Sequence, residues 1–117
     1  MKTPKDPRHQ IRQEIVKALF AESFTHQSGI NDHVKKILAV QDDIDDKIKK
    51  VAPEFPIEKI NRVDLAILRL GVYELAIDAK EPQKVVIDEA IELAKEFGND
   101  SSSAFINGAL GKLITEL

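Results

Sequence analysis

Asn61-Arg62-Val63-Asp64-Leu65-Ala66-Ile67-Leu68-Arg69-Leu70-Gly71-Val72-Tyr73-Glu74-Leu75 is the stretch that decides the fold. Leu65, Leu68, Val72, Leu75 and the following Ala76 recur at helical spacing, and Ile67, Leu70 and Ile77 widen the stripe. Few sides remain polar, so the segment reads as a central helix buried on most faces. Asn61 is a good N-cap, and Asp64 falls near the positive end of the helix dipole. The periodicity carries this helix to about Ala79. Gly71 costs about 1 kcal/mol relative to alanine there, and suits the close approach of another helix.

The neighbouring segments share the period. Ile11, Ile15 and Leu19, with Val16 and Phe20 to one side, predict a helix from Arg8 to near Thr25. Arg8 and Arg12 fall off that apolar face, four residues apart and so on one side. Val34, Ile37, Leu38, Gln41, Ile44, Ile48 and Val51 predict one helix over about Asn31–Val51, ended by Pro53 and Pro56. Pro82 opens a further helix whose face is Val86, Ala90, Leu93 and Phe97, with Gly98 as its expected C′ stop. Asn99-Asp100-Ser101-Ser102-Ser103 offers caps for a last helix carrying Ile106, Ala109, Leu110, Leu113 and Leu117. The expected fold is all-α, a compact bundle of five to six helices with short connections. Residues 8–117 form one domain, and 1–7, with Pro4 and Pro7, a flexible basic tail.

At 117 residues there is room for one core. Cysteine is absent, which excludes disulfides, thiolate metal sites and cysteine nucleophiles. No apolar run reaches the ~18 residues of a membrane span, and the N-terminus has no signal-peptide core. The expected setting is a reducing compartment, most simply the cytoplasm. The net charge of −3 is unevenly spread. Residues 1–20 hold five cations (Lys2, Lys5, Arg8, Arg12, Lys17) against two acids, and the remainder twelve against eighteen. A small basic head on an acidic body marks either a local polyanion site or an ordinary solvated terminus.

Catalytic signals are weak. His9, His26 and His33 lack the i,i+4 spacing of a helical zinc site, and there is no nucleophile elbow or phosphate loop. Asp42-Asp43-Ile44-Asp45-Asp46 is the one dense carboxylate cluster, but Lys47, Lys49 and Lys50 follow it, so it reads as a solvated helix face. The expectation is a non-enzymatic protein without metal or cofactor. For nucleic acid, Arg8 and Arg12 can meet phosphates, while Phe97 and Phe105 flank the hydroxyl-rich loop 98–103. The residues alone favour two core phenylalanines and capping serines.

Three blocks, in order, resemble the NusB antitermination family: Asn61–Leu75, Pro82–Gly98, and Phe105-Ile106-Asn107-Gly108-Ala109-Leu110-Gly111, which is similar to that family's Phe-Ile/Val-Asn-Gly-Val-Leu signature. They cover about half the chain. Upstream, Arg8 and Arg12 match arginine positions of the run that precedes Ala18-Leu19-Phe20, while His9 and Gln10 depart from its richest versions. The middle is short, which implies loss of a helix or most of one between the first helix and Asn31. The resemblance implies two packed helical sub-bundles and no enzymatic activity. It further implies binding of single-stranded boxA-type RNA with the NusE ribosomal protein, within an RNA polymerase antitermination complex. Arg8 and Arg12 would hold the RNA backbone, and Phe97, Asp100, Ser101 and Phe105 the rest of the RNA-facing surface. Some members self-associate, so a homodimer is a further expectation. The alternative is a helical protein-interaction module of the same fold that has lost RNA binding.

Overall fold

Asp6 and Pro7 start the first helix. Asp6 is the N-cap, its carboxylate accepting the Arg8 N–H at 2.9 Å, and Pro7 occupies the first helical turn. Asp6 and Pro7, assigned from sequence to the tail, thus belong to the start of that helix. The computed structural model describes residues 6–117, and the expected tail residues 1–5, with Lys2 and Lys5, lie outside them. Six α-helices follow in order: α1 Pro7–Glu22, α2 Asp32–Ala39, α3 Gln41–Val51, α4 Arg62–Val72, α5 Gln83–Phe97 and α6 Ser102–Thr115. A 3₁₀ turn at Ile57–Lys59 precedes α4, and a π-helical turn at Tyr73–Asp78 extends it. There is no strand among the described residues.

α4 is central as predicted. Every residue from Asp64 to Val72 is buried, and the helix packs against α1, α3, α5 and α6. Asn61 caps it, accepting the Val63 and Asp64 N–H groups at 2.9 and 3.3 Å. Gly71 is where α6 comes close: a Cβ there would lie 2.9 Å from Leu110 Cδ1. α1 also packs against α2, and α5 against α6. One apolar core draws on all six helices.

Four expectations change. The predicted helix over 31–51 breaks at Val40, whose backbone (φ −118°, ψ 20°) leaves the helical region. Its two halves have different partners: α2 packs on α1, and α3 on α4 and α6. A straight helix would not bring Val34 and Ile37 to the first and Ile44, Ile48 and Val51 to the second. Ile11, expected in the core, is 47% exposed, because α1 turns Ile15, Val16 and Leu19 inward instead. Its end comes at Glu22, where the Ser23 hydroxyl donates to the Phe20 carbonyl at 2.6 Å, and residues 23–31 hold no helix.

The fourth change is the end of the central helix. The ladder widens to i→i+5 and closes with the Ala79 N–H on the Glu74 carbonyl at 3.0 Å, Ala79 standing in the left-handed region at φ 53°, ψ 30°. Alanine carries a steric cost there that glycine does not. Ala79→Gly is therefore expected to stabilise the fold by about 0.5–1 kcal/mol. Urea denaturation checks it, and an unchanged or lowered midpoint would contradict it.

Candidate nucleic-acid interface

Arg8 and Arg12 lie one turn apart on α1 and both line a cleft with Tyr73, Glu74 and Lys80, but their side chains have different fates. Arg8 is 71% exposed and pairs loosely with Asp6 at 3.7 Å. Arg12 is buried. Its Nε lies 3.0 Å and its Nη2 2.7 Å from the two Glu74 carboxylate oxygens, and Nη1 is 3.3 Å from Glu89 Oε1. Burial works against the guanidinium charge, but the Glu74 hydrogen bonds and the charges of Glu74, Glu89 and Glu81 outweigh it and hold its pKa above the ordinary range.

His9 extends this network. Its ring nitrogens face Glu89 at 3.2 Å and Glu96 at 2.8 Å, while Gln13 donates to Glu96 at 3.2 Å. His9, read from sequence as a position of no special role, is a buried tie between α1 and α5. α1 thus has a polar inner side bonded to the acids of the π turn and α5. Its exposed basic residues are Arg8 and Lys17, about 13 Å apart along the axis at 1.5 Å per residue and on opposite sides of the helix. Lys17, in a weak pair with Glu14 at 3.6 Å, holds its ammonium 6.0 Å from the centre of the Phe97 ring. That contact sets the Lys17 side of α1 beside the end of α5, where the loop to α6 begins.

The loop is built around Asn99. Its side-chain oxygen accepts from the Ser101 N–H at 3.0 Å, the Ser101 hydroxyl at 2.9 Å and the Ser102 hydroxyl at 3.2 Å. The Ser102 oxygen in turn accepts the Asn99 N–H at 3.0 Å. This Asx arrangement leaves Asp100 and Ser101 exposed and Ser102 fully buried. Gly98 ends α5, but not in the left-handed form expected of a C′ glycine; its backbone is extended at φ −93°, ψ −167°. Space dictates the residue, since a Cβ would lie 2.4 Å from Ser102 Oγ and 2.7 Å from the Ala94 carbonyl oxygen.

Phe97 and Phe105 are both half-buried. Phe105 meets exposed Phe55 edge to face, centroids 5.7 Å apart. Of the predicted site residues, Phe97, Asp100, Ser101 and Phe105 gather at this loop, Arg8 stands at the far end of α1, and Arg12 points into the fold. Sequence reading missed Asn99 as the loop's organiser, although an Asx residue two before a serine signals it. It also missed Phe55, which is fifty residues from its partner and carries no local signal.

The acidic cluster is structural. Asp45 forms a two-pronged pair with Arg69 of α4 at 2.9 and 3.0 Å, Asp43 meets Lys47 at 3.1 Å and Asp46 meets Lys49 at 3.8 Å. Among the described residues no three His, Asp or Glu are arranged to hold a metal, and no helix is long and apolar enough to cross a membrane.

The same architecture has been solved before. T. maritima NusB superposes with a TM-score of 0.80 at 31% identity, over 99% of this chain and 94% of that one. The transcription antitermination protein NusB of Herpetosiphon aurantiacus is 44% identical across 93% of this chain and 90% of its own. That of Clostridium botulinum strain Hall is 42% identical across 87% and 74%. The NusB family model matches residues 3–115, which takes in both ends of the α1–loop surface as well as the central helix. By fold, by sequence and over nearly its whole length, the chain belongs to the NusB family.

Proposed function

We propose that this protein is a transcription antitermination factor that binds single-stranded boxA-type RNA together with the NusE ribosomal protein, on the elongating RNA polymerase. Its relatives carry the antitermination name. The single observation that carries the RNA reading is the Lys17–Phe97 contact, which makes one surface of the exposed Lys17 ammonium and the aromatic, hydroxyl-rich loop. Phosphates lie along the first part, and bases stack on and bond to the second. The work is binding rather than chemistry. Arg8 is the exposed phosphate contact of the predicted arginine pair, and Arg12 is a positioning residue that holds α1 through Glu74 and Glu89. The acidic body complements a basic ribosomal protein.

The test is anisotropy titration of a labelled boxA RNA against a scrambled RNA, with and without the ribosomal protein, at two salt concentrations. Selective binding that tightens with the partner is expected. Arg8→Ala should weaken all RNAs alike and reduce the salt slope by about 1. An unchanged slope would remove Arg8 from the site. Capture of the ribosomal protein with no RNA affinity in either mixture would favour a module kept for protein contacts.

A further inference from the structure

We infer that the cleft beside the α5–α6 loop is a base-reading pocket in which the Asp64 carboxylate recognises the Watson–Crick edge of a guanine in the bound strand. This rests on the proposed RNA-binding reading and deepens it. The cleft, of about 290 Å³, is bounded by Phe55, Phe105, Lys59, Asn99, Ser101 and Asp64. Asp64 is 6% exposed, and its buried Oδ1 has no hydrogen-bond partner. It stands in the first turn of α4, where the backbone N–H groups of Val63 and of Asp64 itself are taken by Asn61. The helix dipole favours a negative charge at this end, but gives the oxygen no donor. A buried carboxylate oxygen without a donor is a costly arrangement for a fold to keep, and a ligand that brings donors relieves it.

The walls say what kind of ligand. Phe55 and Phe105 stand nearly perpendicular, at 88°, and present an apolar corner that accepts a flat ring. Asn99 and Ser101 add polar side chains to the lining. A carboxylate repels phosphate, so the cleft takes a base and leaves the backbone outside. Among the four RNA bases only guanine offers two adjacent donors on its Watson–Crick edge, N1–H and the N2 amine. Asp64 lines the cleft and its carboxylate torsion is broad, so rotation can turn the buried Oδ1 toward a bound base. A base stacked on aromatic rings and bonded on that edge is how single-stranded RNA is commonly read.

The experiment compares three labelled twelve-nucleotide probes: oligouridylate, the same strand with one central guanosine, and the same strand with inosine there, which lacks the N2 amine. The wild-type chain is expected to bind the guanosine probe about tenfold more tightly than oligouridylate, with inosine in between. Asp64→Asn should bring the three affinities together. The ratio between probes is the readout, because removing a negative charge raises affinity for every RNA alike. The inosine arm needs no variant, so the inference stands or falls even where Asp64→Asn folds poorly. Equal wild-type affinities for the three probes, beside selective boxA binding, would overturn the pocket and leave the RNA reading intact. So would an Asp64→Asn variant that keeps the guanosine preference but loses the ribosomal protein, since the carboxylate would then serve a protein partner. Binding of no RNA at all, boxA included, would overturn both.

Discussion

Arg12→Ala is expected to destabilise the fold by about 3–5 kcal/mol, as loss of one partner from a buried ion pair does. The guanidinium is the shared cation of two acids from separate elements, Glu74 of the π turn and Glu89 of α5. Its removal leaves Glu89, almost fully buried, with less compensation, and takes a two-pronged bond from Glu74. For a domain of this size the loss corresponds to a fall in Tm of about 12–20 °C. Thermal unfolding followed by circular dichroism checks it. The outcome also decides how an RNA-binding defect at this position is read. A variant that has lost its anchor between α1 and α5 will bind RNA poorly whether or not Arg12 touches phosphate, so Arg8 is the cleaner probe. A Tm within a few degrees of the parent would mean the network contributes little, and Arg12 would be free to serve the RNA after all.

The divergence of Arg8 and Arg12 shows where sequence reading stops. Helical periodicity fixes the angle of a side chain around its axis, and at that level the two arginines do face one cleft. It does not say whether a long side chain bends outward or finds an acid 62 or 77 residues away. The same limit explains His9. It was legible as a polar position near the start of α1, whereas its two glutamates come from a helix packed across it only in the fold. Features set by neighbours in the chain were readable: the Asn61 cap, the apolar stripe of α4, and the small residue where α6 crosses. Features that reconcile two packing partners were not, as with the break at Val40 and the π turn after Val72. Both depart from the regular helix because different parts of one periodic segment answer to different neighbours. The loop surface lies between these cases. Its residues could be picked out by type, but Phe55, which completes the aromatic corner, and Asp64, which lines the cleft, arrive from other parts of the fold.

Gly98→Ala is expected to cost about 3 kcal/mol, at the upper end of ordinary overpacking. The argument is steric and owes nothing to backbone freedom, since φ −93° with ψ −167° is open to any residue. A Cβ at Gly98 would meet Ser102 Oγ at 2.4 Å, Ser102 Cβ at 2.5 Å and the Ala94 carbonyl oxygen at 2.7 Å. Ser102 cannot swing away cheaply, because it is fully buried and its hydroxyl both accepts from the Asn99 N–H and donates to the Asn99 side chain. The Ala94 oxygen cannot move without opening the last turn of α5, which it closes by accepting the Gly98 N–H at 2.9 Å. Adding Ser102→Gly removes two of the three clashes and leaves the backbone one, so the double variant should remain less stable than the parent. Urea denaturation of the single and double variants measures both effects. If Gly98→Ala proves neutral, α5 and α6 can part at this corner without loss, and the loop is too soft to hold Asp100, Ser101 and Phe105 ready for a base. If it is as costly as expected, the loop is set rigidly before any ligand arrives. Its contribution to RNA affinity then comes from preorganisation, because the ordering has already been met in folding.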